Sequence, residues 1–111
     1  MSVDAVTAVR LGDAGQVPPG EGRAFEVAGE QVAVFHLRSG GFRAVSAVCP
    51  HKGGPIADGQ IDNAVVLCPL HLNAFSLDTG CSTTFDVPLR TYRVSVDADN
   101  QLVVSTPPNV P

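Results

Sequence analysis

Two cysteines and two histidines of this chain fall into two short groups, Cys49-Pro50-His51 and Cys68-Pro69-Leu70-His71, with sixteen residues between His51 and Cys68. Thiolate and imidazole are soft or borderline ligands, and four of them on two loops suit a metal. Three chemistries use these groups. A structural zinc takes two thiolates and two imidazoles in a tetrahedron, but its knuckles usually pair Cys with Cys and His with His. A cysteine nucleophile needs one thiol, one basic imidazole and an orienting third group, which leaves the second Cys/His pair without a task. A two-iron, two-sulfide centre of mixed ligation places two thiolates on one iron and two imidazoles on the other, and so uses all four residues. Against these stands a plain packing role for four unrelated side chains. It fits poorly, because both groups lie in Pro/Gly-rich turns, where packing seldom demands Cys or His.

Such loops need strands to hold them face to face. "GRAFEVAG" and "QVAVFHLR" alternate in hydrophobicity and are rich in β-branched or aromatic residues; "SGG" is a turn signal, and "FRAVSAV" follows as a third strand. These read as an antiparallel meander. "AVVL" (64–67) is a short apolar strand running into Cys68, and "AFSL" (74–77) is another, closed by "DTG". "RTYRVSVD" and "QLVVS" flank "ADN" as a terminal hairpin. No segment patterns as an amphipathic helix, and "LGDAGQVPPGEG" has too much Gly and Pro for one. The tail "TPPNVP" is expected to fray. The fold class is therefore all-β: an antiparallel sandwich or barrel base with an inserted lobe over roughly 46–82, within a single domain spanning 1–111.

Bulk properties narrow the function. The chain has 111 residues, 44% hydrophobic and 16% charged, which is a globular composition. Net charge is -4, with one lysine, six arginines and no basic run, so no nucleic-acid partner is expected. No apolar run approaches the roughly 18 residues of a bilayer span. "MSVDAVTAVRLGD" has neither a charged n-region nor an apolar h-region. A cytoplasmic location is expected, where cysteines more often bind metals or react than form disulfides.

The stretch "CPHKGGPIADGQIDNAVVLCPLH" resembles the motif of the Rieske [2Fe-2S] family, C-x-H and C-x-x-H separated by a spacer of this length. "KGGP" after His51 and "L-x-TG" after His71 are similar to that family too, and the order of meander, cluster lobe and final hairpin extends the resemblance over the whole chain. The resemblance implies a one-electron carrier with a Rieske-type [2Fe-2S] cluster. Cys49 and Cys68 would be thiolate ligands of the buried iron, and His51 and His71 imidazole ligands of the outer one. Gly53 and Gly54 would let the first loop turn tightly and bring backbone N–H groups toward the sulfides. Pro50 and Pro69 would stiffen each ligand pair. Lys52 reads equally as a docking charge or a solvated side chain. His36 falls on the face of Val32 and Val34 and reads as a satisfied sheet histidine. Cys81 reads as a small packed residue outside the ligand set.

Respiratory members of that family carry an extra Cys in each cluster loop, forming a disulfide; here those positions hold a Gly of "HKGG" and Leu70. Ring-hydroxylating oxygenases add a mononuclear iron domain, for which this length leaves no room. Two roles remain. One is the small subunit of an assimilatory NAD(P)H nitrite reductase, beside a large sirohaem-bearing catalytic subunit. The other is a ferredoxin carrying electrons from a ferredoxin reductase to an aromatic-ring dioxygenase. Dioxygenase ferredoxins usually have Gly after the second ligand His, where this chain has Leu72, and "AFSLDTGCSTTFDVPLRTYRVSVD" resembles the nitrite reductase small subunits. The sequence reading therefore favours the first role, with the second as its alternative and a stand-alone redox domain as a third class. High-potential respiratory members place hydroxyl side chains two and four residues after the second His. Asn73 and Phe75 stand there in this chain, which implies a potential at the low end of the class.

Overall fold

A computed structural model describes residues 7–48, 56–62, 65–68, 74–82 and 89–106. Among these described residues nine strands are formed: β1 (Thr7–Asp13), β2 (Gly22–Val27), β3 (Glu30–His36), β4 (Phe42–Ser46), β5 (Gln60–Asp62), β6 (Val65–Leu67), β7 (Ala74–Ser76), β8 (Thr91–Val96) and β9 (Gln101–Thr106). Six of them make an antiparallel, barrel-like sheet in the order β1-β9-β8-β4-β3-β2. The other three make a small sheet in the order β5-β6-β7. The all-β fold with an inserted lobe is thus present. The lobe enters after β4 and leaves before β8, and those two strands are themselves neighbours, with Ala44 opposite Tyr92 and Val45 opposite Thr91.

The alternation of β3 explains how base and lobe share one scaffold. Successive side chains of a strand point to opposite faces. Val32 and Val34 enter one core, with Val27, Ala44, Leu102 and Val104 of the six-stranded sheet. Ala33 and Phe35 enter the other, with Val45, Ile56, Val66, Phe75 and Leu77. All four residues of this run are fully buried. Each large apolar side chain removed from water contributes about 1.5–3 kcal/mol, so β3 draws stabilisation from both sides. A run buried on both faces reads as continuously apolar, and "VAVF" does.

The turns follow local chemistry. Ala28 (φ 49) and Gly29 (φ 84) make the two-residue link between β2 and β3, with the positive φ at both positions that a type I′ hairpin demands. In the β8–β9 turn Asp97 accepts backbone N–H groups of Asp99 (2.9 Å) and Gln101 (3.0 Å). These bonds, that from Gln101 foremost and helped by Arg10 at 3.0 Å, hold its carboxyl below the usual aspartate range.

Two strands are additions to the sequence reading. β1 grows from the N-terminal stretch and pairs with β9, with Val9 and Leu11 packed on the base core. Its register shifts between Arg10 and Gly12, a bulge that breaks the alternation a reader would look for. β5 is only three residues long and pairs with β6. The Gly/Pro-rich stretch after β1 forms a single 3-10 turn, Ala14–Gln16, capped by Asp13.

Gly80 carries a sharp test of the lobe's attachment. Its φ is 79, its N–H donates to Ser76 O (2.8 Å), and its carbonyl accepts Leu89 N–H (2.8 Å). A Cβ there would strike the Leu89 carbonyl, which is backbone and cannot step aside. Gly80→Ala is expected to cost at least about 2 kcal/mol, the left-handed penalty plus the clash, measured by urea unfolding followed by far-UV circular dichroism.

Candidate functional site

The two candidate ligand loops rise from bases that the backbone closes. After β4, Ala47 N–H donates to Gln31 O of β3 (2.9 Å), and Ile56 N–H donates back to Ala47 O (3.0 Å). The two residues that flank the segment 48–55, which holds Cys49 and His51, are therefore tied to one another. Ser46 secures its first step: its hydroxyl lies 3.3 Å from both the N–H and the carbonyl of Val48. The segment 68–73, which holds Cys68 and His71, is the link between β6 and β7 and is closed by the pair Leu67–Ala74. Gly59 brings Ile56, after the first segment, close to Leu67, before the second. It sits so close to Leu67 O and Ile56 O that any side chain would collide with backbone.

Of the four expected ligands, the structure describes Cys68; Cys49, His51 and His71 lie outside the described residues, as do Lys52, Gly53, Gly54, Pro50, Pro69, Leu70, Leu72 and Asn73. Cys68 is wholly buried, unpaired with any other thiol, and belongs to the core that joins lobe and base. Phe75, four residues after His71, is also wholly buried there, opposite Val66. It offers no hydrogen-bond donor to anything above it. Val48, next to Cys49, is 48% exposed.

The other two candidates are set apart by register. His36 ends β3, while the first loop is tied to Gln31 near its start; five residues of strand separate them, about 16 Å. The imidazole Nδ1 lies 2.8 Å from Val17 O, and the ring stacks on Phe42 at a centroid distance of 4.2 Å. It is the satisfied sheet histidine that its position in the strand implied. Cys81 departs from the sequence reading: it is exposed, not packed. Ser82 pairs with Phe75 and shares its inward side, so the residue before it faces out. Cys81 O accepts Ser76 N–H (2.8 Å), and Ser76 pairs with Val65. Cys81 thus borders the end of β6 remote from Cys68, about 10 Å of strand away.

Sequence reasoning passed over Ser46, Ala47, Ile56 and Gly59, which shape the loop bases. Only Gly59, in "IADGQ", left a visible signal, since Gly between a tight turn and a strand marks a close backbone approach.

Comparison with known proteins adds four facts. The model of the Rieske [2Fe-2S] domain matches residues 7–93. The chain is 40% identical, over 89 residues, to the 3-phenylpropionate/cinnamic acid dioxygenase ferredoxin subunit of Photorhabdus laumondii, covering 77% of this chain and 82% of that one. Among solved structures it is similar to a protein described as the NADH-dependent nitrite reductase small subunit of Mycobacterium tuberculosis (TM-score 0.87, 25% identity, 93% of this chain and 97% of that one). It is also similar to the ferredoxin of carbazole 1,9a-dioxygenase from Nocardioides aromaticivorans (TM-score 0.80, 31% identity, 88% and 96%).

Exposure separates the two described thiols experimentally. Maleimide labelling of the native protein, read by peptide mass mapping, is expected to modify Cys81 within minutes and to leave Cys68 unmodified until the chain is denatured.

Proposed function

The chain belongs to the Rieske [2Fe-2S] family, an electron-transfer domain with a Rieske-type cluster, and we propose that it serves as a single-domain, one-electron carrier whose cluster is held by Cys49, His51, Cys68 and His71. The observation that carries the ligand assignment is Cys68. A thiolate in an apolar core is disfavoured unless a cation meets it, and Cys68 is fully buried where the strand ends and the loop begins. An iron atom fits that donor. The donor set as a whole, two thiolates and two imidazoles, is the set of a Rieske centre. When bound, the cluster accepts and returns one electron. The protein's own part is to keep Cys68 away from water and to place the donor-free side chain of Phe75 in the same core.

For the finer role we propose the small subunit of an assimilatory nitrite reductase, which passes electrons within a complex with a larger catalytic subunit. Two observations support it: the backbone likeness at TM-score 0.87 over 93% of the chain, and the segment Phe75-x-Leu77-x-x-Gly80 with Cys81 beside it. The 40% identity to a dioxygenase ferredoxin favours a second reading, a shuttle between a reductase and an oxygenase. The readings differ in the lifetime of the complex. Sedimentation with a sirohaem-type large subunit separates them: a stable complex that Leu72→Ser abolishes, with the cluster spectrum intact, supports the first. Rapid reduction by a ferredoxin reductase without any stable complex supports the second. The cytoplasm suits either role, because the thiols of Cys68 and Cys81 are free.

Anaerobically purified protein is expected to be red-brown, with two irons and two acid-labile sulfides per chain. Cys68→Ser and His71→Ala abolish the cluster, whereas Cys81→Ser and His36→Ala retain it, by iron analysis and visible absorption. Because Phe75 is buried and lacks a donor, the midpoint potential falls in the lower half of the roughly -150 to +300 mV class range, measured by protein-film voltammetry.

A further inference from the structure

A three-residue group lies beside Ser46 and Ala47, the residues that lead toward Cys49, and none of its members is an expected ligand. Tyr92 is buried in the base core, and its hydroxyl donates to Glu30 Oε1 at 2.7 Å, across a sequence separation of 62 residues. Arg90 Nη1 stands 3.8 Å from the same oxygen. The backbones of these residues hold the chain that enters the loop. Arg90 O accepts Ser46 N–H (2.8 Å), and Gln31 O, the residue after Glu30, accepts Ala47 N–H (2.9 Å). Ser46 and Ala47 are therefore gripped from two sides, by β8 and by β3, and Cys49 follows two residues later.

We propose that Tyr92 and Glu30 are positioning residues for the first ligand loop. Their hydrogen bond locks β8 to the start of β3, so that the two carbonyls receiving Ser46 and Ala47 keep a fixed spacing. β4 and β8 share the pairs Ala44–Tyr92 and Val45–Thr91, and the Ser46–Arg90 bond follows them at the end of β4. The turn that precedes Glu30 holds Ala28 in the left-handed region, which L-alanine adopts at a cost. The tether restrains that end of the hairpin. Burial, and then the bond to Glu30, push the Tyr92 hydroxyl well above the usual tyrosine range, so it remains a donor across the working pH range. Arg90 is 71% exposed, and at that exposure its ion pair adds little.

The effect on the cluster rests on Cys49 being a ligand, whereas the effect on the backbone does not, and the experiment reads both. In Tyr92→Phe and Glu30→Ala, amide hydrogen exchange at Ser46 and Ala47 is expected to accelerate about tenfold, the size of one hydrogen bond to a charged acceptor. Glu30→Gln keeps an acceptor oxygen and restores most of the protection. In cluster-loaded protein the same two variants broaden the electron paramagnetic resonance lines and release iron to a chelator about tenfold faster, at a temperature where the far-UV spectrum is native. Val104→Ala, a truncation in the same core away from the loop, lowers thermal stability without either change. Wild-type exchange at Ser46 and Ala47 in both Tyr92→Phe and Glu30→Ala, or equal acceleration in Val104→Ala, overturns the proposal. A wild-type chain that takes up no two-iron cluster instead defeats the ligand assignment and leaves the exchange result to decide the tether.

Discussion

β3 must satisfy two cores at once. Val32 and Val34 fill the interior of the six-stranded sheet, and Ala33 and Phe35 fill the seam between that sheet and the lobe. A one-residue slip of this strand would exchange the two sets. Phe35 would then point into a space lined by valines, and Ala33 and Val34 would trade volumes that neither core can absorb without a void or a clash. The register of β3 is therefore over-determined, and it fixes the register of β4 through five consecutive pairs. The end of β4 is where the first ligand loop departs. The point of departure is inherited from packing on the neighbouring strand.

The lobe is small and could not hold itself. Its strands are three residues long each, and a sheet of that size needs a covering core. The covering is supplied by β3 and β4 through Phe35, Val45 and Ala47, meeting Ile56, Val66, Phe75 and Leu77. Cys68 belongs to the same cluster. One candidate ligand is thus also a core residue, which couples the site to the stability of the fold. Gly59 and Gly80 let backbone meet backbone at the lobe's edges, where any side chain would intervene. The Arg43–Asp78 pair adds an exposed link from β4 to the turn after β7, at 2.6 Å.

The same scaffold serves the small subunit of a nitrite reductase and the ferredoxins of dioxygenases. A fold of this kind sets how a cluster is held and says little about whom it meets. Partner choice is left to side chains that the shared backbone does not dictate.

Much of this was legible in the chain itself. The Cys/His spacing carried the cofactor chemistry, because few arrangements use two thiolates and two imidazoles on two loops. Alternation gave the meander and the terminal hairpin, because the period of two is written residue by residue, and the lobe strands in "AVVL" and "AFSL" read as short apolar runs. His36 read correctly because its strand face was already assigned. β1 escaped notice because a bulge at Gly12 interrupts its alternation, and β5 because three residues carry no period. Cys81 was misjudged as packed, since which side of a short edge segment faces inward depends on its bridge to Phe75. The closed loop bases, and the tether from Tyr92 to Glu30, belong to the tertiary structure alone. They join residues distant in sequence through backbone carbonyls and a single hydroxyl, and one-dimensional patterns hold no record of such meetings.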